Sequence, residues 1–192
     1  MSIRFAAAAC ASFVLALPLA AEQTVFTLDP AHTEVRFTLG SLLHTVHGSF
    51  QLEKGSVSFD PATGQASGEV IVNAASGDSG NASRDSRMHK SILESQKYPR
   101  IVFRPDHIDG QLPAQGSATV QVHGMFSIHG TDHEITIPVE MRIGPDQQAV
   151  TLHFTIPYIQ WGMKNPSTLF LRVNDKVEIE IQAAGHLSPP RT

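Results

Sequence analysis

Val120-Gln121-Val122-His123-Gly124-Met125-Phe126-Ser127-Ile128-His129-Gly130-Thr131-Asp132-His133-Glu134-Ile135-Thr136-Ile137-Pro138-Val139-Glu140-Met141-Arg142-Ile143 decides the fold. Val120, Val122, Phe126 and Ile128 alternate with Gln121, His123, Met125 and Ser127, and Ile135, Ile137, Val139, Met141 and Ile143 alternate with Thr136, Pro138, Glu140 and Arg142. A period of two residues places each apolar set on one face of a strand. Between the runs, His129-Gly130-Thr131-Asp132 offers glycine at the first position of a two-residue type II′ loop,. That loop would set Phe126 opposite Ile135, Gly124 opposite Ile137, Val122 opposite Val139 and Val120 opposite Met141. Both strands then turn their apolar groups to the same side, whereas a slip of one residue would reverse a whole face.

The pattern spreads outward from this hairpin. Val150, Leu152, Phe154 and Ile156 form one further alternating run, and Val177, Ile179 and Ile181 another. Upstream, less regular runs contain Val35, Phe37 and Leu39; Val46, Gly48, Phe50 and Leu52; Val57 and Phe59; Gly68, Val70 and Val72; and Ile101 with Phe103. In the next hairpin, Met141 opposite Leu152 would bring His153 against Glu140. About eight strands joined by short turns predict an all-β, antiparallel barrel, since closure removes exposed sheet edges. A sandwich satisfies the same alternation. Asn81 to Tyr98 lacks the alternation and is expected to form short helical structure over one barrel end.

The 192 residues, 41% hydrophobic and 17% charged, fit a single globular domain,. A formal charge of -4 with scattered Lys and Arg excludes the clustered positive charge that nucleic-acid binding needs,. Arg4, the apolar run Phe5 to Leu17, and Pro18-Leu19-Ala20-Ala21 have the form of a secretory signal peptide,. The expected division is therefore a leader at 1–21, a barrel at 22–185 and a flexible tail at 186–192, with export to the periplasm as a soluble protein. Cys10, the only cysteine, would leave with the leader, so the mature chain should contain no disulfide,.

Several segments in order resemble the YceI-like family of exported lipid-binding proteins. These are Leu28-Asp29-Pro30-Ala31-His32-Thr33, His47-Gly48-Ser49-Phe50, Ser83-Arg84-Asp85, Tyr98-Pro99-Arg100-Ile101-Val102-Phe103, the glycine-centred segment Gly124 to Gly130, and Val173-Asn174-Asp175-Lys176-Val177-Glu178-Ile179. Two departures bear on the ligand rather than the fold: Arg87 stands where the family usually has histidine, and Tyr158 to Ser167 replaces a commoner Asn-Arg-x-Asp-Phe-Gly stretch. The resemblance implies a lipocalin-like barrel with a long isoprenoid-type lipid, such as a polyprenyl chain or isoprenoid quinone, in its interior. It also implies a homodimer.

On this reading Phe37, Phe50, Val70, Val72, Phe103, Val122, Phe126, Val139, Phe154 and Ile179 would surround the lipid tail. An ordinary packed core would use the same residues, because an eight-stranded barrel is either just filled by side chains or holds one small ligand. Arg84, Asp85 and Arg87 are candidates for the mouth, where they would meet a head group or simply pin the cap. Trp161 is either a core plug or a lip for a head group or a transient membrane contact. No cofactor or catalytic residue is expected.

Enzyme readings are weaker. Gly77-Asp78-Ser79-Gly80 resembles a serine-protease nucleophile segment, but a triad also needs a base and an orienting acid within reach, the mature chain is short for that double barrel, Asn81 replaces the usual next Gly, and the stretch reads equally as a turn before a helix,. The ten histidines invite a metal. His123, His129 and His153 are expected on outer faces, His44 and His47 on opposite ones, and only His129 and His133 could approach across their turn, with Asp132 between them. A metal- or histidine-assisted enzyme acting on a small amphiphile and a ligand-free structural envelope protein are the alternatives to the carrier.

Overall fold

The computed structural model describes residues 23–41, 44–113, 115–145, 148–167 and 172–188. The expected leader, Met1 to Ala21, and residues 189–192 of the expected tail lie outside the described residues. Eight strands follow in chain order: β1 (Thr24–Gly40), β2 (Thr45–Phe59), β3 (Ala66–Asp78), β4 (Arg100–Asp109), β5 (Gly116–Ile128), β6 (Thr131–Ile143), β7 (Gln148–Ile156) and β8 (Val177–Ser188). Every neighbouring pair is antiparallel, and β8 closes on β1, so the sheet is a closed barrel. A sandwich is thereby excluded. β8 also takes up the start of the expected tail, since Leu187 and Ser188 pair with Phe26 and Val25.

The irregular N-terminal alternation has a structural cause. In β1 the buried positions change phase from Phe26 and Leu28 to Val35 and Phe37, and the ladder shifts register between Leu28 and Thr33. Asp29 shapes this bulge: one carboxylate oxygen accepts from the Ala31 amide at 2.9 Å, the other meets His32 Nδ1 at 2.7 Å, and its carbonyl accepts from the Thr33 hydroxyl at 2.7 Å. A second shift, between Leu52 and Lys54, carries the inward phase of β2 from Phe50 and Leu52 to Gly55. An extra residue in one strand changes which face the following side chains occupy.

The β5–β6 hairpin differs from the sequence expectation by two residues. Ile128 pairs with Thr131, Phe126 with His133, Gly124 with Ile135, Val122 with Ile137 and Val120 with Val139. The loop residues are His129 and Gly130, with φ of +53° and +77°. Positive φ at both positions is the type I′ pattern, and histidine is among the residues that tolerate it. A two-residue shift in register keeps every side chain on its predicted face and sets His133 opposite Phe126 rather than Ile128,. In the next pair, Val139 meets Leu152 and Met141 meets Val150, so Glu140 faces Thr151, and His153 lies opposite Glu180 of β8.

The interior divides along the barrel axis. At one end Phe26, Leu28, Val120, Val122, Val139, Met141 and Val150 belong to one buried cluster. At the other, Phe37, Phe126, Ile128, Ile156, Tyr158 and Ile179 form a second cluster beneath the β3–β4 and β7–β8 connections. The first of these connections contains α1 (Ala82–Arg87), capped by the Asn81 side chain, and a π-helical turn at Met88–Ile92. Helical structure over one end agrees with the expectation from Asn81 to Tyr98.

Candidate functional site

A cavity of about 490 Å³ opens at the second end, beneath the helical connection. Its wall is mainly apolar and includes Leu39, Val46, Met88, Ile92, Ile128 and Ile156. This volume lies within the range of sites that enclose a small ligand, roughly 300–1,000 Å³. Six of the ten expected tail residues line it: Phe37, Phe50, Val72, Phe126, Phe154 and Ile179. Phe37 and Phe50 approach with ring centroids 5.4 Å apart, and Phe126 and Phe154 with centroids 6.0 Å apart.

The other four do not reach the cavity. Val122 and Val139 are buried in the opposite cluster, with Val70 packed against it, and Phe103 packs against both clusters without lining the cavity. Alternation identifies which side chains point inward, but their height along the barrel determines whether they meet open space or one another.

The mouth is organised around Ser79, which ends the Gly77-Asp78-Ser79 stretch. Its hydroxyl donates to Asp85, and it accepts from Arg84 Nε at 2.7 Å; a second Arg84 nitrogen donates to the Ser79 carbonyl at 2.7 Å. Burial pushes the Asp85 carboxyl up, but hydrogen bonds from the Ser79 side chain and backbone, with the nearby Arg84 charge, hold it below its ordinary value overall. Arg84 and Arg87 both line the cavity. Asp85 is turned to Ser79 instead and is absent from the wall. The hydroxyl of Ser79 thus serves a carboxylate–guanidinium clasp, and no imidazole among the described residues hydrogen-bonds to it, which removes the geometric basis for a protease triad.

Trp161 is also absent from the cavity wall. It stacks on His133, with centroids 4.0 Å apart and planes at 6°, and lies 5.8 Å from Phe126. It therefore packs behind the lining as part of the end closure. Burial lowers the His133 pKa below the ordinary 6.5, against the opposing charge of Asp132, and its Nε2 has no hydrogen-bond partner among the described residues. Nearby Tyr158 donates its hydroxyl to the Asn174 carbonyl at 2.7 Å, and burial, with the Asp175 charge, pushes its pKa up to about 12. Asn174 also donates its amide to the Gly40 carbonyl at 2.9 Å, tying this connection to the β1–β2 end.

Sequence reasoning missed Ser41, His44, Ser79, Asn81 and Ser83 at the mouth. The signal for Ser41, His44 and Ser79 was their position beside strand ends that meet on one side of a meander barrel, while Asn81 and Ser83 belong to the helical connection. His89 was missed as well: its ring contacts the Gly77 carbonyl at 2.9 Å and the Ser95 hydroxyl at 3.3 Å, fastening the helical connection to β3. His129 packs against Tyr98 in a tilted arrangement, with centroids 4.9 Å apart, and approaches Glu94 at 3.6 Å. His123 is on the outer face, between Asp106 at 2.6 Å and Glu134 at 3.0 Å. Among the described residues, no three His, Cys, Asp or Glu side chains form a metal-holding group. A larger hollow, about 740 Å³, lies among polar outer-wall residues including Lys97, Arg100 and Arg104, away from the barrel interior.

A closed antiparallel, lipocalin-like barrel with an end-opening apolar cavity is the class these features define. A YceI-like domain matches residues 26–184, and the chain belongs to that family. The crystal structure of BcnA from Burkholderia cenocepacia is similar, at 20% identity and a TM-score of 0.67, covering 83% of this chain and 99% of that one. A polyisoprenoid-binding domain from Saccharophagus degradans, described as implicated in plant cell wall breakdown, aligns at 14% identity and a TM-score of 0.65, covering 85% and 98% respectively. A Campylobacter jejuni YceI protein aligns at 17% identity and a TM-score of 0.52 over 72% of this chain and 81% of that one. No curated protein sequence matches the chain.

Proposed function

We propose that this chain is a non-catalytic carrier of the cell envelope that holds the apolar chain of an isoprenoid-type lipid in the open half of its barrel. The apolar cavity, open at one end and closed by packed side chains at the other, carries this reading. Burial of hydrocarbon supplies roughly 0.8 kcal/mol per CH₂. Ten such groups would contribute about 8 kcal/mol, comparable with a micromolar dissociation constant before the costs of ordering the ligand. The similarity to a structure named as a polyisoprenoid-binding domain supports the ligand class. The form of Met1 to Ala21 supports export to the periplasm with removal of the leader,. Transient membrane contact would load and unload the carrier, and a homodimer is the assembly implied by the family resemblance.

The direct test is native mass spectrometry of the protein purified from the periplasmic fraction, followed by organic extraction. A stoichiometric lipid of isoprenoid type is expected, on a chain that begins near Glu22; the same spectrum gives the oligomeric state. Protein that carries no lipid and cannot be loaded with prenols, isoprenoid quinones or fatty acids would rule out the carrier.

A further inference from the structure

We infer that the cavity selects an amphiphile with one apolar chain and an anionic head, a carboxylate or phosphate, and that Arg87 makes the selection. This rests on the carrier reading and specifies its ligand. Among the described residues lining the cavity, the charged side chains are Arg84 and Arg87; no Asp or Glu is among them, and the other polar groups include Ser41, His44, Asn81 and Ser83. The two arginines are not equivalent. Arg84 is committed to Ser79, and its charge lies beside Asp85. Arg87 forms no ion pair with the described residues. One solvent-exposed guanidinium without an ion-pair partner among the described residues therefore remains at the rim of an apolar chamber. Guanidinium donors match the paired oxygens of a carboxylate or phosphate.

The chamber also limits the chain. A cavity of about 490 Å³ takes an apolar chain inside, with its head at Arg87. Val120, Val122, Val139, Met141 and Val150 fill the space below and would stop a much longer chain from threading the barrel.

Isothermal titration of the lipid-stripped full chain tests this with farnesyl phosphate against farnesol, hexadecanoate against hexadecanol, and inorganic phosphate alone. The anionic member of each pair should bind about tenfold tighter, the scale of one charge-assisted hydrogen-bonded contact. Arg87→Gln should bring the acid-to-alcohol affinity ratio to about one, with circular dichroism and melting temperature of the unliganded protein verifying that the barrel is intact. Equal affinity for acid and alcohol in the wild type, or a preference that survives Arg87→Gln, would overturn the assignment to Arg87. Inorganic phosphate binding as tightly as farnesyl phosphate would overturn the lipid-head reading in favour of a free-anion site. Failure of every amphiphile to bind would instead remove the carrier reading itself.

Discussion

His123 and His133 show how the two faces of one hairpin impose opposite pH dependences. On the outer face, the hydrogen bond to Asp106 raises the His123 pKa above 6.5, aided by Glu134 and opposed by burial. Its stabilising contribution is complete below pH 6.5 and is lost as pH rises through the elevated folded value. On the inner face, burial lowers the His133 pKa. The unfolded chain therefore takes up that proton first, and stability is lost as pH falls from 6.5 through the depressed folded value. Melting curves on both sides of pH 6.5 should show that His123→Gln flattens the alkaline decline and His133→Phe the acid one; unchanged slopes would show that neither environment persists in solution. Gly124 presents a steric constraint rather than a titration. A Cβ there would lie 2.3 Å from the Arg104 carbonyl and 2.7 Å from Pro105 Cα, so the clash is with backbone. Gly124→Ala should cost about 1–3 kcal/mol in denaturant unfolding, the usual range for overpacking. Alternation places His123 outward and His133 on the face of Ile135 and Ile137, but it does not give the partner of His133, which is Phe126 because the loop is His129-Gly130, one residue earlier than Gly130-Thr131.

At the scale of strands and connections, sequence periodicity was most informative where the ladders are regular. β5, β6, β7 and β8 were legible because Val, Ile and Phe alternate without interruption. β1 and β2 were less so, because bulges at Asp29 and near Glu53 move the apolar set to the other phase. The changes from Leu28 to Val35 and from Leu52 to Val57 record those bulges in the sequence. A two-residue error in the hairpin leaves no such trace, since both registers bury the same faces. The helical cover over the mouth is fastened by polar contacts as well as by Met88, Ile92 and Leu93, which belong to or pack against the second cluster. His89 on the Gly77 carbonyl is one such fastening. Replacing His89 with Phe removes a hydrogen bond worth about 1 kcal/mol, enough to accelerate opening roughly fivefold. Hydrogen exchange should therefore quicken at residues 82–98 and remain unchanged along β5 and β6; faster exchange throughout would mean that the connection is integral to barrel stability.

Across the whole molecule, one half of the barrel supplies stability and the other supplies space. The sequence could list the inward-facing side chains but could not separate those halves, because closure, bulge positions and the folded-back connections determine what each side chain meets. Val139 and Phe154 both belong to inward-facing sets, yet only Phe154 lines the cavity. The division predicts contrasting consequences for two substitutions. Met141→Ala, in the packed half, should lower stability by about 2–5 kcal/mol through lost burial and a new void, while the protein still binds one lipid at saturation. Ile179→Trp directs a larger ring towards open space between Phe37 and Phe154, its partners on β1 and β7. It should preserve the barrel's circular dichroism yet abolish lipid uptake and the ligand-induced rise in melting temperature that binding to the folded state requires. If Ile179→Trp retains both uptake and that rise, the ligand lies outside the cavity; if Met141→Ala abolishes binding while remaining folded, the two halves are coupled, and the apparently closed end contributes directly to the ligand site.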